Sequence, residues 1–281
     1  MKSGDKAQVY DHGYTQWHGP RVSGGWRFLA IARNEIRLAW KEKWFRRVAI
    51  VSFFPLGIFG VISLVQSRLQ AVAELMDLWE QFFGSQLIFA MLMVYYLGRN
   101  AIAEDRRVGA FSVYFSRPIG LAQYLLGKWS AIAMAVIVVI LGPGLLLALL
   151  RWAVEPGVDW ALCLRWIAAL AALSLMVALS QGAVILALSA MVQRGRTAGI
   201  LWVIVYFVSS ALGSGLASGT GMGQLRAIGF VESSTNLAGV ALSGASWYAD
   251  LGWQVLGLGL WALVGAAVVL FQLRHWWRAR P

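Results

Sequence analysis

Charge is scarce in this sequence. Only 13% of its 281 residues are Asp, Glu, Lys or Arg, against roughly 25% in a typical soluble chain. With 59% hydrophobic residues and a mean hydropathy of +0.65, that excludes a soluble globular domain and indicates a multi-span membrane protein. Cysteine occurs once, as Cys163, so an intrachain disulfide and a thiolate metal cluster are both excluded. The thiol reads as a small apolar packing residue. The three histidines, His12, His18 and His275, lie outside the long apolar runs. Metal pairs and proton relays built from intramembrane His therefore have no residues to use. The phosphate-cradling pattern Gly-x-x-x-x-Gly-Lys-Ser/Thr is missing, and Gly127-Lys128 is followed by Trp129. The N-terminus, MKSGDKAQVYDHGYTQWHGP, has no early apolar core and does not read as a signal peptide. No catalytic, cofactor-binding or metal-binding residue is expected.

What the chain has is apolar length. A spanning helix needs about 20 apolar residues to cross a hydrocarbon core of about 30 Å. Six runs meet or approach that length: 48–65, 82–98, 129–150, 166–192, 198–217 and 253–273. The expected fold is all-α and integral to the membrane, with six transmembrane helices. Residues 1–25 are polar and read as an extended arm. In 26–47, Leu29, Ala32, Ile36, Trp40 and Trp44 recur at helical spacing beside Arg33, Arg37 and Lys41. Such an amphipathic helix lies in the membrane interface. Gly142-Pro143-Gly144 predicts a kink or unwinding in the third span. Residues 218–252 are rich in Gly yet too apolar for a solvated loop, and read as a re-entrant segment. Many tryptophans, among them Trp79, Trp129, Trp152, Trp160, Trp166 and Trp253, fall at span ends as an aromatic belt.

The net charge is +11, and its placement sets a topology. Ten of the 24 Lys and Arg precede residue 48, five lie in 99–128, two in 193–197 and three after 273. Basic loops stay in the cytoplasm. Both termini, including the tail 274–281, are therefore expected inside, in the cell (inner) membrane. The basic residues sit at span ends, which argues for lipid headgroups and against nucleic acid. Because the spans carry no Asp, Glu, Lys or Arg in their middles, an ion-coupled carrier lacks its usual midplane charge. An intramembrane serine protease is also excluded. Gly215-Leu216-Ala217-Ser218-Gly219 has one residue too many for its serine motif, and no span offers a His.

The most informative polar stretch is 99–128, RNAIAEDRRVGAFSVYFSRPIGLAQYLLGK. It reads as a cytoplasmic elbow between the second and third spans. The second helix has no proline to stop it and is expected to run on through Ala101 and Glu104, with Gly109 as its break. A short aromatic segment follows, ended by Pro118.

This order of parts resembles the membrane subunit of type-2 ATP-binding-cassette transporters. In that family an interfacial helix precedes six spans, and a short coupling helix sits between the second and third. The elbow pattern is carried here by Glu104, Gly109, Phe111-Ser112-Val113, Ser116-Arg117-Pro118, Tyr124 and Gly127-Lys128. The resemblance implies an export permease without ATPase activity of its own. Two copies, or this chain and a similar permease, would form the pathway above two P-loop ATPase subunits. Coupling would run through Glu104, Arg106, Arg107, Gly109, Phe111, Val113, Tyr114, Phe115, Arg117 and Pro118. The aromatic knob would fill an apolar cleft while the arginines meet acids at its rim. A non-transporting membrane anchor or assembly component, and an ion-coupled carrier, are the alternatives.

Overall fold

The computed structural model describes residues 26–68, 78–110, 120–243 and 251–278. The arm 1–25 and the core of the expected coupling segment, 111–119, lie outside the described residues. Ten α-helices are found among those described. They are α1 (Arg27–Lys41), α2 (Lys43–Val51), α3 (Phe54–Arg68), α4 (Leu78–Gly98), α5 (Ala103–Arg107), α6 (Leu121–Val154), α7 (Trp160–Met191), α8 (Gly195–Thr220), α9 (Phe230–Ala238) and α10 (Leu251–Arg278). A 3-10 turn over Gly223–Ile228 precedes α9, and a π turn over Gly239–Ser243 follows it. Among the described residues there is no strand. Six helical stretches are long and apolar enough to cross a membrane: α2 with α3, α4 with α5, α6, α7, α8 and α10.

α7 is the organising helix. It packs along both α6 and α10 and also meets α4, α8 and α9. The buried side of its second half is rich in small residues, among them Ala178, Ser180, Gly182, Ala187, Ser189 and Ala190. Lipid is as apolar as leucine, so helices in a bilayer gain little from apolar burial alone, and close backbone packing does the work instead. At Gly265 of α10, a Cβ would stand 2.6 Å from the carbonyl carbon of Ala183. That neighbour is backbone and cannot rotate away. Gly265→Val is therefore expected to destabilise the bundle by about 1–3 kcal/mol. Gly259→Val on the same helix, with nothing within 4 Å, should stay within about 0.5 kcal/mol. Melting temperatures of the two variants in the same detergent check this; equal losses would contradict it.

Aromatic N–H and O–H groups hold the helices together. Trp202 Nε1 donates to Met91 O at 3.2 Å, Tyr206 Oη to Leu87 O at 3.4 Å and Trp129 Nε1 to Ala178 O at 3.1 Å. A donor buried in this way needs a partner. Two of the expected belt residues turn inward. Trp79 and Trp166 are buried and flank Arg151, whose guanidinium lies 5.2 Å and 4.8 Å from their ring centres. Arg151 also pairs with Glu155 at 2.7 Å, and Glu155 accepts from Ser63 on α3. Trp152, Trp160 and Trp253 are exposed, as a belt requires.

Other expectations are corrected in detail. Of the expected kink or unwinding at Gly142-Pro143-Gly144, the unwinding does not occur, because α6 is helical throughout. Leu170 fits against Gly144 and Phe53 against Gly142, so the notches are filled by neighbours. The interfacial helix ends at Lys41, and Glu42 is extended, so the first membrane-length helix begins at Lys43. α1 buries Ile31 and Ala32 against α6, while Leu29 is exposed.

Candidate functional site: the base of the elbow

The helix of the second span does not run straight on. It ends at Gly98, which lies so close to Ile185 of α7 that no side chain fits between them. The chain turns over 99–102 and starts again as α5. A residue on another helix makes that restart. Ser189 of α7, fully buried, accepts from the backbone N–H groups of Ile102 and Ala103 at 3.1 and 3.0 Å and donates to Arg99 O at 3.1 Å. The first N–H groups of a helix have no partner within it, and α5 has no cap of its own. Ser189 supplies one from across the bundle.

α5 then enters a buried charge cluster. Lys128 of α6 is 3% exposed and stands 2.7 Å from Glu35 of α1 and 2.7 Å from Asp105 of α5. Tyr124 Oη donates to Asp105 at 2.8 Å, and the Lys128 ammonium lies 5.5 Å from the Tyr124 ring centre. An ammonium in such a place is tolerable only when paired, and here two carboxylates hold it. The residue before it makes the approach possible. A Cβ on Gly127 would fall 2.7 Å from Ile31 Cβ and 2.9 Å from Phe28 O. Glycine lets α1 close on α6, and the adjacent lysine hooks it there. The Gly127-Lys128 pair thus acquires a physical meaning: it binds the interfacial helix, the elbow stem and the third span at one point. A second link lies beside it. Arg99 reaches Glu42, at the α1–α2 junction, at 3.6 Å and is packed against the rings of Tyr95 and Tyr96.

The expected coupling residues are distributed unevenly. Glu104 and Arg107 pair with each other at 2.6 Å on the exposed side of α5. Arg106 turns the other way: it stacks over Trp276 of α10 at 4.6 Å and donates to Ala190 O at 3.4 Å. Of the cations at the stem, Arg107 is therefore the one that faces out, while Arg106 ties α5 to the last span. Gly109 has φ +68°, the left-handed conformation that closes the stem. Phe111, Val113, Tyr114, Phe115, Arg117 and Pro118 lie outside the described residues.

Glu35, Asp105 and Ser189 were not singled out from the sequence. Glu35 carried a signal: it lies four residues from Ile31 and three from Ala32, on the face that α1 buries. An acid on an apolar face calls for a cation. Ser189 carried none, because serines are common in spans. Among the described residues no group of His, Cys, Asp and Glu is suited to a metal ion.

No curated protein matches the sequence. The model of the ABC-2 family transporter protein matches residues 29–237, from the first turn of α1 into the last turn of α9. Since that one match takes in the interfacial helix, the elbow and both partners of its charge cluster, the chain belongs to the ABC-2 family of transporter proteins.

Proposed function

We propose that the chain is the pathway-forming subunit of an ATP-driven exporter. Two copies, or this chain with a similar permease, form the pathway, and two separate ATPase subunits drive them through the 109–118 elbow. As a family member it is a multi-pass membrane protein and a permease component of an ABC transporter, and the family works with an ATP-binding subunit. In this reading both termini and the elbow face the cytoplasm, which the basic residues of 1–47, 99–128 and 274–281 support. The protein then resides in the cell inner membrane.

The observation that carries the coupling role is the cluster of Lys128, Glu35 and Asp105. A force applied to the elbow tip reaches α5. From there it passes through Asp105 to α6 and α1, and through Arg106 to α10. A segment fastened in this way moves whole helices when pushed, as a lever requires. An ordinary headgroup-bound loop needs no such fastening.

The test is purification of the tagged chain from its native membrane under mild detergent. A P-loop ATPase is expected to co-purify, and reconstituted complex should hydrolyse ATP. Solute movement by the isolated chain down an ion gradient, with no ATPase present, would overturn the proposal in favour of a carrier. A stable complex that contains only non-ATPase proteins would favour an anchor.

A further inference from the structure

At the opposite end of the bundle from the elbow lies a polar cavity of about 410 Å³. α8 begins against Arg99 and Asn100, and the cavity is reached roughly 30 Å further along it. Its walls are Ser214 and Ser218 of α8, Arg226 of the 3-10 turn, and Glu232, Thr235 and Asn236 of α9. Most of the chain at this depth is apolar, so the concentration of polar groups is itself an observation that calls for a reason.

The lining leans towards acceptors, with the Asn236 carboxamide and Arg226 as its donors. Ser214 donates its hydroxyl proton to Ser210 O, Ser218 to Ser214 O and Thr235 to Val231 O. Their protons are committed to their own helices, and what they offer the cavity is acceptor lone pairs. Glu232 adds a carboxylate. Its Oε2 is buried and has no hydrogen-bond partner among the described residues. Burial pushes the carboxyl above its ordinary range, and hydrogen bonds from its own backbone and from Ser210, with Arg226 beyond them, draw it back only in part. The oxygen lies over Gly229 at the start of α9, where an acid also favours the helix N-terminus. That accounts for an acid at this position but not for the ring of spent hydroxyls around it. Arg226 is exposed and forms no ion pair with Glu232 among the described residues. The cavity therefore presents hydroxyl acceptors, the Glu232 carboxyl and the Asn236 carboxamide within, and a guanidinium at its wall.

We propose that this cavity binds a primary ammonium group carried close to an anionic group. Glu232 and the three hydroxyls receive the ammonium, and Arg226 faces the anion. An ammonium brings three donors and no acceptor, which matches the acceptors of this lining, and the Glu232 carboxyl on the cavity wall supplies the counter-charge. The phosphoethanolamine head of a membrane lipid and free phosphoethanolamine share this chemistry. Reading the ligand as cargo rests on the permease role proposed above; its binding does not.

The full chain is purified in dodecyl maltoside without any ATPase. Equilibrium binding is then measured for lysophosphatidylethanolamine, lysophosphatidylglycerol and free phosphoethanolamine. Saturable binding of the ethanolamine lysolipid is expected, weakened about tenfold or more in Glu232→Gln and in Arg226→Gln, as the loss of one charge-assisted contact implies. The glycerol lysolipid should bind more weakly and be indifferent to Glu232→Gln. Competition by free phosphoethanolamine at similar concentration assigns a soluble ligand; competition by the lysolipid alone assigns a lipid. Equal binding of the two lysolipids, no saturable binding, or unchanged affinity in both variants overturns the proposal. Arg226 is exposed, so its variant decides the matter should Glu232→Gln fail to fold. Failure here leaves the ATP-driven reading intact, and absence of an ATPase partner leaves this binding intact.

Discussion

Lys128→Met is expected to destabilise the protein by about 3–5 kcal/mol, the usual cost of removing one partner from a buried ion pair. The side chain of Lys128 is 2% exposed, and those of Glu35 and Asp105 are 17% and 16% exposed. Without the ammonium, two carboxylates of like charge face one another in a site with little water. Neither can rotate freely to solvent, because Asp105 is held by Tyr124 and Glu35 lies on the buried side of α1. The result should be release of α1 from α6 as well as a lower melting temperature. Arg33, Arg37 and Lys41 of α1 are exposed, so trypsin should cut there faster in the variant than in the wild type.

The mechanism can be separated from simple loss of packing. The triple variant Lys128→Met, Glu35→Gln, Asp105→Asn has the same missing ammonium but no stranded charge. It should recover most of the lost stability, since a buried ion pair is worth little more than neutral groups of similar shape. Gly127→Val should release α1 by a different route, through collision with Ile31 and the Phe28 carbonyl, and charge neutralisation should not rescue it. Wild-type stability in Lys128→Met, measured by unfolding in detergent, would show that the cluster does not fasten these helices.

The elements that sequence made legible are those that one segment determines alone. Apolar length gives a helix its membrane character whatever its neighbours do, so six crossings follow from composition. Gly109 ends the elbow stem because its own backbone adopts φ +68°. What escaped depends on two segments at once. Lys128 and Glu35 are 93 residues apart, and hydropathy averages each into its surroundings without pairing them. The same holds for Ser189, which caps a helix 86 residues earlier, and for Arg151, which draws Trp79 and Trp166 inward from an expected belt. The apolar periodicity of α1 does not separate Leu29, which is exposed, from Ala32, which is buried on α6. At a membrane interface both lipid and protein accept apolar residues, so an apolar stripe does not say which of the two it meets. The face turned to α6 is marked instead by Glu35, the acid that needs a cation.

Under the proposed coupling role of the elbow tip, Phe111→Asp should abolish coupling while leaving the membrane bundle intact. An apolar anchor in a partner's cleft commonly accounts for about 2 kcal/mol or more of an interface, roughly a thirtyfold loss of affinity, and a buried aspartate without a partner adds to that cost. Arg117→Glu reverses a charge at the rim, so it should slow association and make it more sensitive to salt. Both substitutions leave Lys128, Glu35 and Asp105, the groups of the buried cluster, chemically unchanged. Both variants should therefore keep the wild-type melting temperature and membrane insertion, in contrast to Lys128→Met. Co-purification of the ATPase, together with ATP-dependent transport in vesicles, reads the difference. If Phe111→Asp retained full assembly and transport, the force would have to enter elsewhere at the elbow's end of the bundle. The exposed pair Glu104–Arg107 would then be the next surface to reverse, because it is the polar face of α5 that the bundle leaves open.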